Sequence, residues 1–342
     1  MRLALFAYSR RGRETARRAR AALEGPGDQC RCYAPEKYAG GEFAPIQSPC
    51  APFTAPLFDW ADALVFVGAA GIAVRSIAPH VRDKRTDPAV LCVDELGQFV
   101  IPLLSGHIGG ANALTKTLAQ ALGAVPVVTT ATDINQKFSV DAWAAQNGLF
   151  IDGMSAAKAV SAAILEGPVP LASDFPIAGE LPPGVVSGES GPVGVCVSWR
   201  ERRPFEATAL LVPPVVHLGL GCRRGVSAQQ VAAAVDRALA AHGVHPGAVK
   251  RAASIDLKRD EAGLLEFCQS RGWPLSFYSA GELAALEGDF TPSERVLRVT
   301  GVDNVCERAA MMGAGRLIVP KTAHDGVTVA AAVEGWTAQF EG

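Results

Sequence analysis

Three features of this 342-residue chain predict an α/β fold of two lobes with mainly parallel sheets and a small element between them. Short apolar, β-branched runs alternate with helical spacings at both ends of the chain, and glycine turns separate them. The stretch from 136 to 214 loses that rhythm. Alternation of this kind implies parallel sheets, because a parallel crossover needs a long and usually helical connection.

The first lobe is read over residues 1–135. "RLALFAY" predicts a strand, and "RETARRARAAL" predicts a helix with a solvated arginine face, stopped by "EGPG". Residues 32–56 carry prolines without a clear period and are expected to be irregular. "ALVFVG", "GAAG" and "IAVRSIAPHV" then give strand, turn and helix. "VLCVDELGQFVIPLL" holds two strand-like runs around the turn at "DELG". "SGHIGG" leads into "ANALTKTLAQALG", whose predicted buried face is Ala111, Leu114, Leu118, Ala121 and Leu122, and "AVPVVTT" reads as the next strand.

In the middle region, 136–214, "SAAKAVSAAIL" predicts a helix, and "VGVCVSW" and "ATALLV" predict strands after a turn-dense stretch; "VPP" reads as a linker. The second lobe, 215–342, opens with the strand "VVHLGLG" and continues with alternating helices and strands. Ser227 with Gln230, and Ser279 with Glu282, have the spacing of capping boxes and fix two helix starts.

Composition narrows the classes of function. With 49% hydrophobic and 19% charged residues the chain is a folded protein, and its net charge of −2 gives no field that favours nucleic acid. No uncharged apolar run approaches the roughly 20 residues of a membrane span. "LALFAY" is followed by "SRRGR" without a small-residue cleavage site, so it reads as a first strand and not a signal peptide. The eight cysteines include one C-x-C (Cys30, Cys32) and no C-x-x-C, which suggests free thiols in a reducing cytoplasm. The six histidines are dispersed, so no metal site of the protein's own is expected.

Glycine loops lie between a strand and a helix in both lobes, where free N–H groups and the helix dipole suit anions. In the first lobe these loops hold Gly68 and Gly71, and Ser105, Gly106, Gly109 and Gly110 just before Asn112. In the second lobe "GLGCRRG" holds Gly219 and Gly221, but its third glycine falls at Gly225, off the dinucleotide-binding spacing, and no Walker loop or G-x-S-x-G is present. Cations cluster near these loops: Arg75, Arg223, Arg224, Lys258 and Lys321. Singly each is an ordinary surface charge; after strands, and together, they suit a ligand bearing several carboxylates. His107 is either a turn residue bonded to a backbone carbonyl or a general base. Asp133, in "TTATDIN" with Thr129 and Thr130, either caps a helix, orients His107 or activates water itself. Glu307 is expected to pair with Arg308 or another neighbour on its helix, with a ligand role as the lesser reading.

The run "GAAGIAVRSIAPHVRDKRTDPAVLCVDELGQFVIPLLSGHIGGAN" with "VVTTATD" strongly resembles the N-terminal part of the cobalt-precorrin-5A hydrolases of anaerobic cobalamin biosynthesis. "GLGCRRG", "ASIDLKRDE" and "VCERAA…LIVPKTAHDGVTVA" resemble that family's second domain, and this half alone also resembles a smaller stand-alone protein of the aerobic pathway. The resemblance implies hydrolysis of a δ-lactone between the ring A acetate and C20 of a cobalt corrinoid. Loss of C20 and its methyl as acetaldehyde would follow, giving cobalt-precorrin 5B. Cobalt would arrive with the substrate, so no cofactor is expected. On this reading His107 activates water with help from Asp133, and N–H groups near Gly106, Gly109 and Gly110 hold the oxyanion. Ser254, Asp256, Glu307 and Thr322 join the cations as expected substrate contacts. The expected partners are the corrinoid and neighbouring enzymes of the pathway, with a homodimer left open and neither nucleic acid nor membrane involved. A non-catalytic corrinoid carrier would use the same loops and cations, and a nucleotide-dependent enzyme is the remaining alternative.

Overall fold

Strand β1 (Arg2–Ala7) is buried from Leu3 to Ala7 because it lies at the centre of a sheet covered on both faces, the position where an apolar run without polar alternation is stable. The computed structural model describes residues 1–47, 49–83, 86–135 and 137–340. The chain divides into two units, Met1–Ala145 and Gln146–Gly342.

In the first unit β1 is followed by α1 (Arg10–Leu23), β2 (Gln29–Pro35), β3 (Phe43–Ile46), α2 (Cys50–Trp60), β4 (Ala63–Val67), α3 (Ala70–Ile77), β5 (Ala89–Val93) and β6 (Phe99–Leu104). Then come α4 (Ala111–Leu122), β7 (Val125–Pro126), α5 (Ala131–Ile134) and α6 (Val140–Gln146). The seven-stranded sheet has the order β3-β2-β1-β4-β5-β6-β7. Alternate residues of each strand face opposite layers. Leu3, Leu5 and Leu91 pack with Ala16, Leu118 and Leu122 of α1 and α4, while Ala4, Phe6 and Phe66 pack with Leu57, Phe58 and Ile77 of α2 and α3.

Three expectations change here. Residues 32–56 are not irregular: β3 and most of β2 and α2 occupy them. Pro45 on the edge strand β3 and Pro52 in the first turn of α2 sit where a missing N–H is tolerated, while Pro56 lies inside α2. The expected strand over "AVPVVTT" shortens to Val125–Pro126. On α4 the buried face holds Asn112 and Thr115 with Leu118, while Ala121 is exposed, so polar side chains take core-facing places.

The turn at "DELG" closes a hairpin. Asp94 Oδ1 accepts the N–H groups of Gln98 and Phe99, each at 2.6 Å, and Gly97 takes the left-handed conformation at φ 69°. β6 therefore runs antiparallel to β5, with Val93 beside Val100 and Val90 beside Leu104. This reversal returns the chain after Leu104 to the amino ends of the parallel strands.

The described residues of the second unit form two five-stranded sheets and one two-stranded sheet. The first has the order β11-β9-β12-β13-β8, built from β8 (Phe150–Asp152), β9 (Val169–Ser173), β11 (Val185–Ser187), β12 (Val193–Val197) and β13 (Ala207–Val212), with α7 (Met154–Glu166) packed on it. A short parallel pair joins β10 (Ile177–Ala178) to β19 (Ala338–Gln339). The second sheet has the order β16-β15-β14-β18-β17. Its elements are β14 (Val216–Cys222), α8 (Ala228–Ala241), β15 (Val249–Ile255), α9 (Ala262–Arg271) and β16 (Leu275–Tyr278), then α10 (Ala280–Ala284), α11 (Glu294–Thr300), α12 (Cys306–Met311), β17 (Arg316–His324) and β18 (Val327–Val333). Both predicted capping boxes form, at Ser227–Gln230 and Ser279–Glu282. One core cluster runs through this unit, from Cys196 and Leu210 to Leu218, Val235 and Val329. Among the described residues no helix is long and apolar enough to cross a membrane.

Candidate active site

The loop Ser105–Gly110 is shaped by close packing. Ser105 is buried with φ at 56°, and its hydroxyl donates to the Asp87 carbonyl at 2.9 Å. A Cβ on Gly106 would lie 2.8 Å from Asn112 Oδ1, and one on Gly109 would lie 2.4 Å from Ser105 Cβ, so both glycines are required by the loop itself. Gly110 supplies the left-handed N-cap of α4 at φ 80°. The N–H groups of Gly110, Ala111 and Asn112 donate to the carbonyls of His107, Ser105 and Gly106 at 2.9, 3.1 and 2.9 Å. These donors are consumed within the turn, which removes Gly110 from the expected oxyanion role.

His107 is held from both sides. Its Nε2 lies 2.9 Å from Asp133 Oδ2, and its Nδ1 lies 3.0 Å from Asp141 Oδ1 and 3.1 Å from Ser139 Oγ. Ser139 O–H donates to Asp141 Oδ1 at 2.8 Å, so its oxygen can accept from Nδ1. A carboxylate at each ring nitrogen favours the protonated imidazole, because an ionised carboxylate only accepts hydrogen bonds. Accordingly its pKa is raised above the ordinary value, first by Asp141 and then, against the opposing effect of burial, by Asp133. An imidazolium cannot accept a proton, which argues against His107 as the resting general base.

Asn112 Nδ2 donates to Asp133 Oδ2 at 2.9 Å and to Thr130 Oγ1 at 3.1 Å. Among the described residues, the other oxygen, Oδ1, faces only Lys116 Nζ at 3.5 Å. Asp133 therefore has one oxygen fixed by two donors and one open to a proton. Thr129, the neighbour of Thr130 in the chain, is exposed. Sequence reasoning brought His107, Asp133, Asn112 and Thr130 together but missed Asp141, Ser139 and Lys116. The S-x-D of "SVDAW" before α6 was the only available signal.

Gly68, Gly71 and Arg75 do not join this cluster. Gly68 donates to the Val93 carbonyl, and Gly71 and Arg75 follow on α3, at the carboxyl end of β4. The His107 loop lies at the opposite edge of the sheet because β6 is reversed. Arg75 bonds back to the Gly71 carbonyl at 3.1 Å.

In the second unit a cleft of about 710 Å³ opens at the carboxyl ends of β14 and β15. Ile255, Leu257, Val296, Val299 and Val305 give it apolar walls, and Val299 is 72% exposed. Gly221, Arg223, Arg224, Lys258 and Lys321 all line it, as does Arg295, which the sequence reading missed. Arg224 pairs with Asp260 at 3.0 Å and Lys258 with Glu261 at 3.5 Å, whereas Arg223, Arg295 and Lys321 make no ion pair among the described residues.

The remaining expected contacts are structural in this geometry. A Cβ on Gly219 would lie 1.7 Å from the Cys306 carbonyl oxygen, so that glycine lets α12 pack on the sheet. Ser254 is buried and donates to the Leu220 carbonyl at 2.7 Å, and Thr322 donates to the Val329 carbonyl at 3.2 Å. Asp256 starts a short turn, its carbonyl accepting from Arg259 N–H at 3.0 Å. Glu307 does not pair with Arg308, which binds Asp303 at 2.9 Å. Its buried carboxylate accepts from Thr291 N at 2.7 Å, Thr291 Oγ1 at 2.9 Å, Asn304 Nδ2 at 2.7 Å and Lys321 N at 2.7 Å. It thereby fixes the strand that carries Lys321 into the cleft.

Asp152, Glu201 and His245 also come together, yet Arg203 contacts both carboxylates. His245 Nδ1 accepts Gly247 N–H at 2.9 Å, which puts the ring proton on Nε2, facing Asp152 at 3.3 Å. This group is an ion-pair network.

Fold and sites define a two-unit α/β protein with a hydrogen-bonded His–Asp cluster in one unit and a cleft of apolar and cationic side chains in the other. Family models described as Cobalamin synthesis G N-terminal, Cobalamin biosynthesis central region and Cobalamin synthesis G C-terminus match residues 53–133, 138–214 and 216–332. The cobalt-precorrin-5A hydrolase of Salmonella typhimurium is 36% identical over 343 residues, covering 96% of this chain and 96% of that one. The cobalt-precorrin-5A hydrolase of Priestia megaterium is 33% identical over 301 residues, 81% of this chain and 80% of its own. Protein CobE of Sinorhizobium sp is 42% identical over 119 residues, 34% of this chain and 77% of that protein. The chain belongs to the cobalt-precorrin-5A hydrolase family.

Proposed function

We propose that the protein hydrolyses the ring A δ-lactone of cobalt-precorrin-5A in the cytoplasm, with cobalt entering as part of the substrate. The observation that carries this reading is the Asp133–His107 pair with Oδ1 open, in a chain related over its length to hydrolases of that name. Asp133 Oδ1 takes a proton from water as the oxygen attacks the lactone carbonyl, while the imidazolium of His107 and the Lys116 ammonium balance the carboxylate. The acyl–oxygen bond breaks, leaving the ring A acetate and an oxygen on C20. That oxygen forms the carbonyl of acetaldehyde as the bond joining C20 to the macrocycle breaks, its electron pair staying with the conjugated ring and its cobalt.

Binding falls to the cleft of the second unit. Its apolar walls suit the face of a macrocycle, and Arg223, Arg295 and Lys321, which make no ion pair among the described residues, suit peripheral carboxylates. The test is anaerobic incubation of purified protein with cobalt-precorrin-5A. Equimolar acetaldehyde and cobalt-precorrin-5B are expected; tight binding without acetaldehyde would establish the carrier instead.

A further inference from the structure

Asp141 stands outside the N-terminal family model, which ends at residue 133, and inside the central one, which begins at 138. In the fold it belongs to the first unit with His107. We infer that Asp141, steadied by Ser139, is a positioning residue for the hydrolytic step: it holds Nδ1 of His107 and turns Nε2–H onto Asp133, leaving Asp133 Oδ1 as the proton acceptor. This rests on the hydrolase reading given above.

Asp141 and Ser139 meet Nδ1 from the start of α6, and Asp133 meets Nε2 from α5. From α4, Lys116 and Asn112 reach His107 only through Asp133. Asp141 is buried, with its side chain 8% exposed, so its charge acts on the ring with little screening by water. Without a carboxylate on Nδ1, the ring can become neutral and accept at Nε2. The Asp133 oxygen it now engages would then keep Asn112 as its one remaining donor, and the direction of the open oxygen would be less firmly fixed.

The experiment joins an NMR titration of the imidazole with steady-state kinetics across pH. The His107 signal is assigned by its loss in His107→Gln. Asp141→Asn is expected to bind a proton at His107 about tenfold less tightly and to lose kcat on the alkaline side from a lower pH than the parent, with KM unchanged. Asp141→Glu should restore part of both. A folded Asp141→Asn protein whose titration and pH–rate profile overlay the parent overturns the inference. If Asp141→Asn does not fold, Asp141→Glu and Ser139→Ala carry the same readout, and unmoved midpoints in both overturn it. If the unaltered protein releases no acetaldehyde, the hydrolase reading fails by itself, and the titration still decides whether Asp141 controls His107.

Discussion

The cluster around His107 and the cleft of the second unit use polar groups in opposite ways. In the cluster every ring nitrogen and one Asp133 oxygen are already bonded, and the reactive capacity sits in a single open oxygen. In the cleft, apolar side chains stay exposed and Arg223, Arg295 and Lys321 make no ion pair among the described residues. A saturated network fixes direction and protonation, which suits chemistry on one bond. Unpaired charges around an apolar surface leave their hydrogen bonds to a ligand, which suits recognition. On the proposed function the contrast would separate a region that sets the rate from one that sets the affinity, and substitutions can break or sharpen it.

The largest effect is expected from Asp133→Asn, which keeps the shape but removes the proton acceptor. kcat should fall by about 10²–10⁴-fold with corrinoid affinity unchanged, measured by single-turnover acetaldehyde release and by titration of the corrinoid spectrum. Lys321→Ala, and separately Arg295→Ala, should do the reverse. Each removes a charge-assisted contact of about 1.5–3 kcal/mol, raising KM by roughly 10–100-fold while kcat holds. If Lys321→Ala lowers kcat and leaves KM alone, the division of labour is wrong.

Smaller effects concern stability. Glu307→Gln places an amide nitrogen among four donors and should destabilise the second unit by about 1–3 kcal/mol, seen as a lower urea midpoint. For His107 the sign is fixed by its raised pKa. The stabilisation it receives from the two aspartates is full below the ordinary value of about 6.5 and fades as pH rises through the raised value. A stability curve for Asp141→Asn should therefore differ most from the parent at the acid end of the folded range and converge with it above that window. The smallest change is expected for Thr115→Val. Thr115 Oγ1 is buried without a hydrogen-bond partner among the described residues, so the substitution should be neutral or stabilise by about 1 kcal/mol in a thermal melt.

What the sequence disclosed follows from which signals are local. The turn at Asp94–Gly97 and the capping boxes at Ser227 and Ser279 depend on neighbouring residues, and each formed as read. His107 and Asp133 were legible because loop position and residue type mark both. The separation of Gly68, Gly71 and Arg75 from His107 was not, because it depends on strand direction: one reversed strand moves the loop that follows it to the other edge of the sheet. Asp141 escaped notice because its partner is remote in sequence and no glycine loop announces it. Arg295 and Val299 sit on α11, a short helix whose exposed face resembles an ordinary surface until the cleft beside it is visible.

The central claim is that activated water attacks the lactone carbonyl, and turnover in ¹⁸O-labelled water tests it most directly. With acetaldehyde trapped faster than it exchanges with solvent, the label is expected in the ring A acetate of the product and absent from the acetaldehyde. Label in the acetaldehyde with an unlabelled acetate would mean that the bond from C20 to the lactone oxygen breaks instead, and would contradict the account.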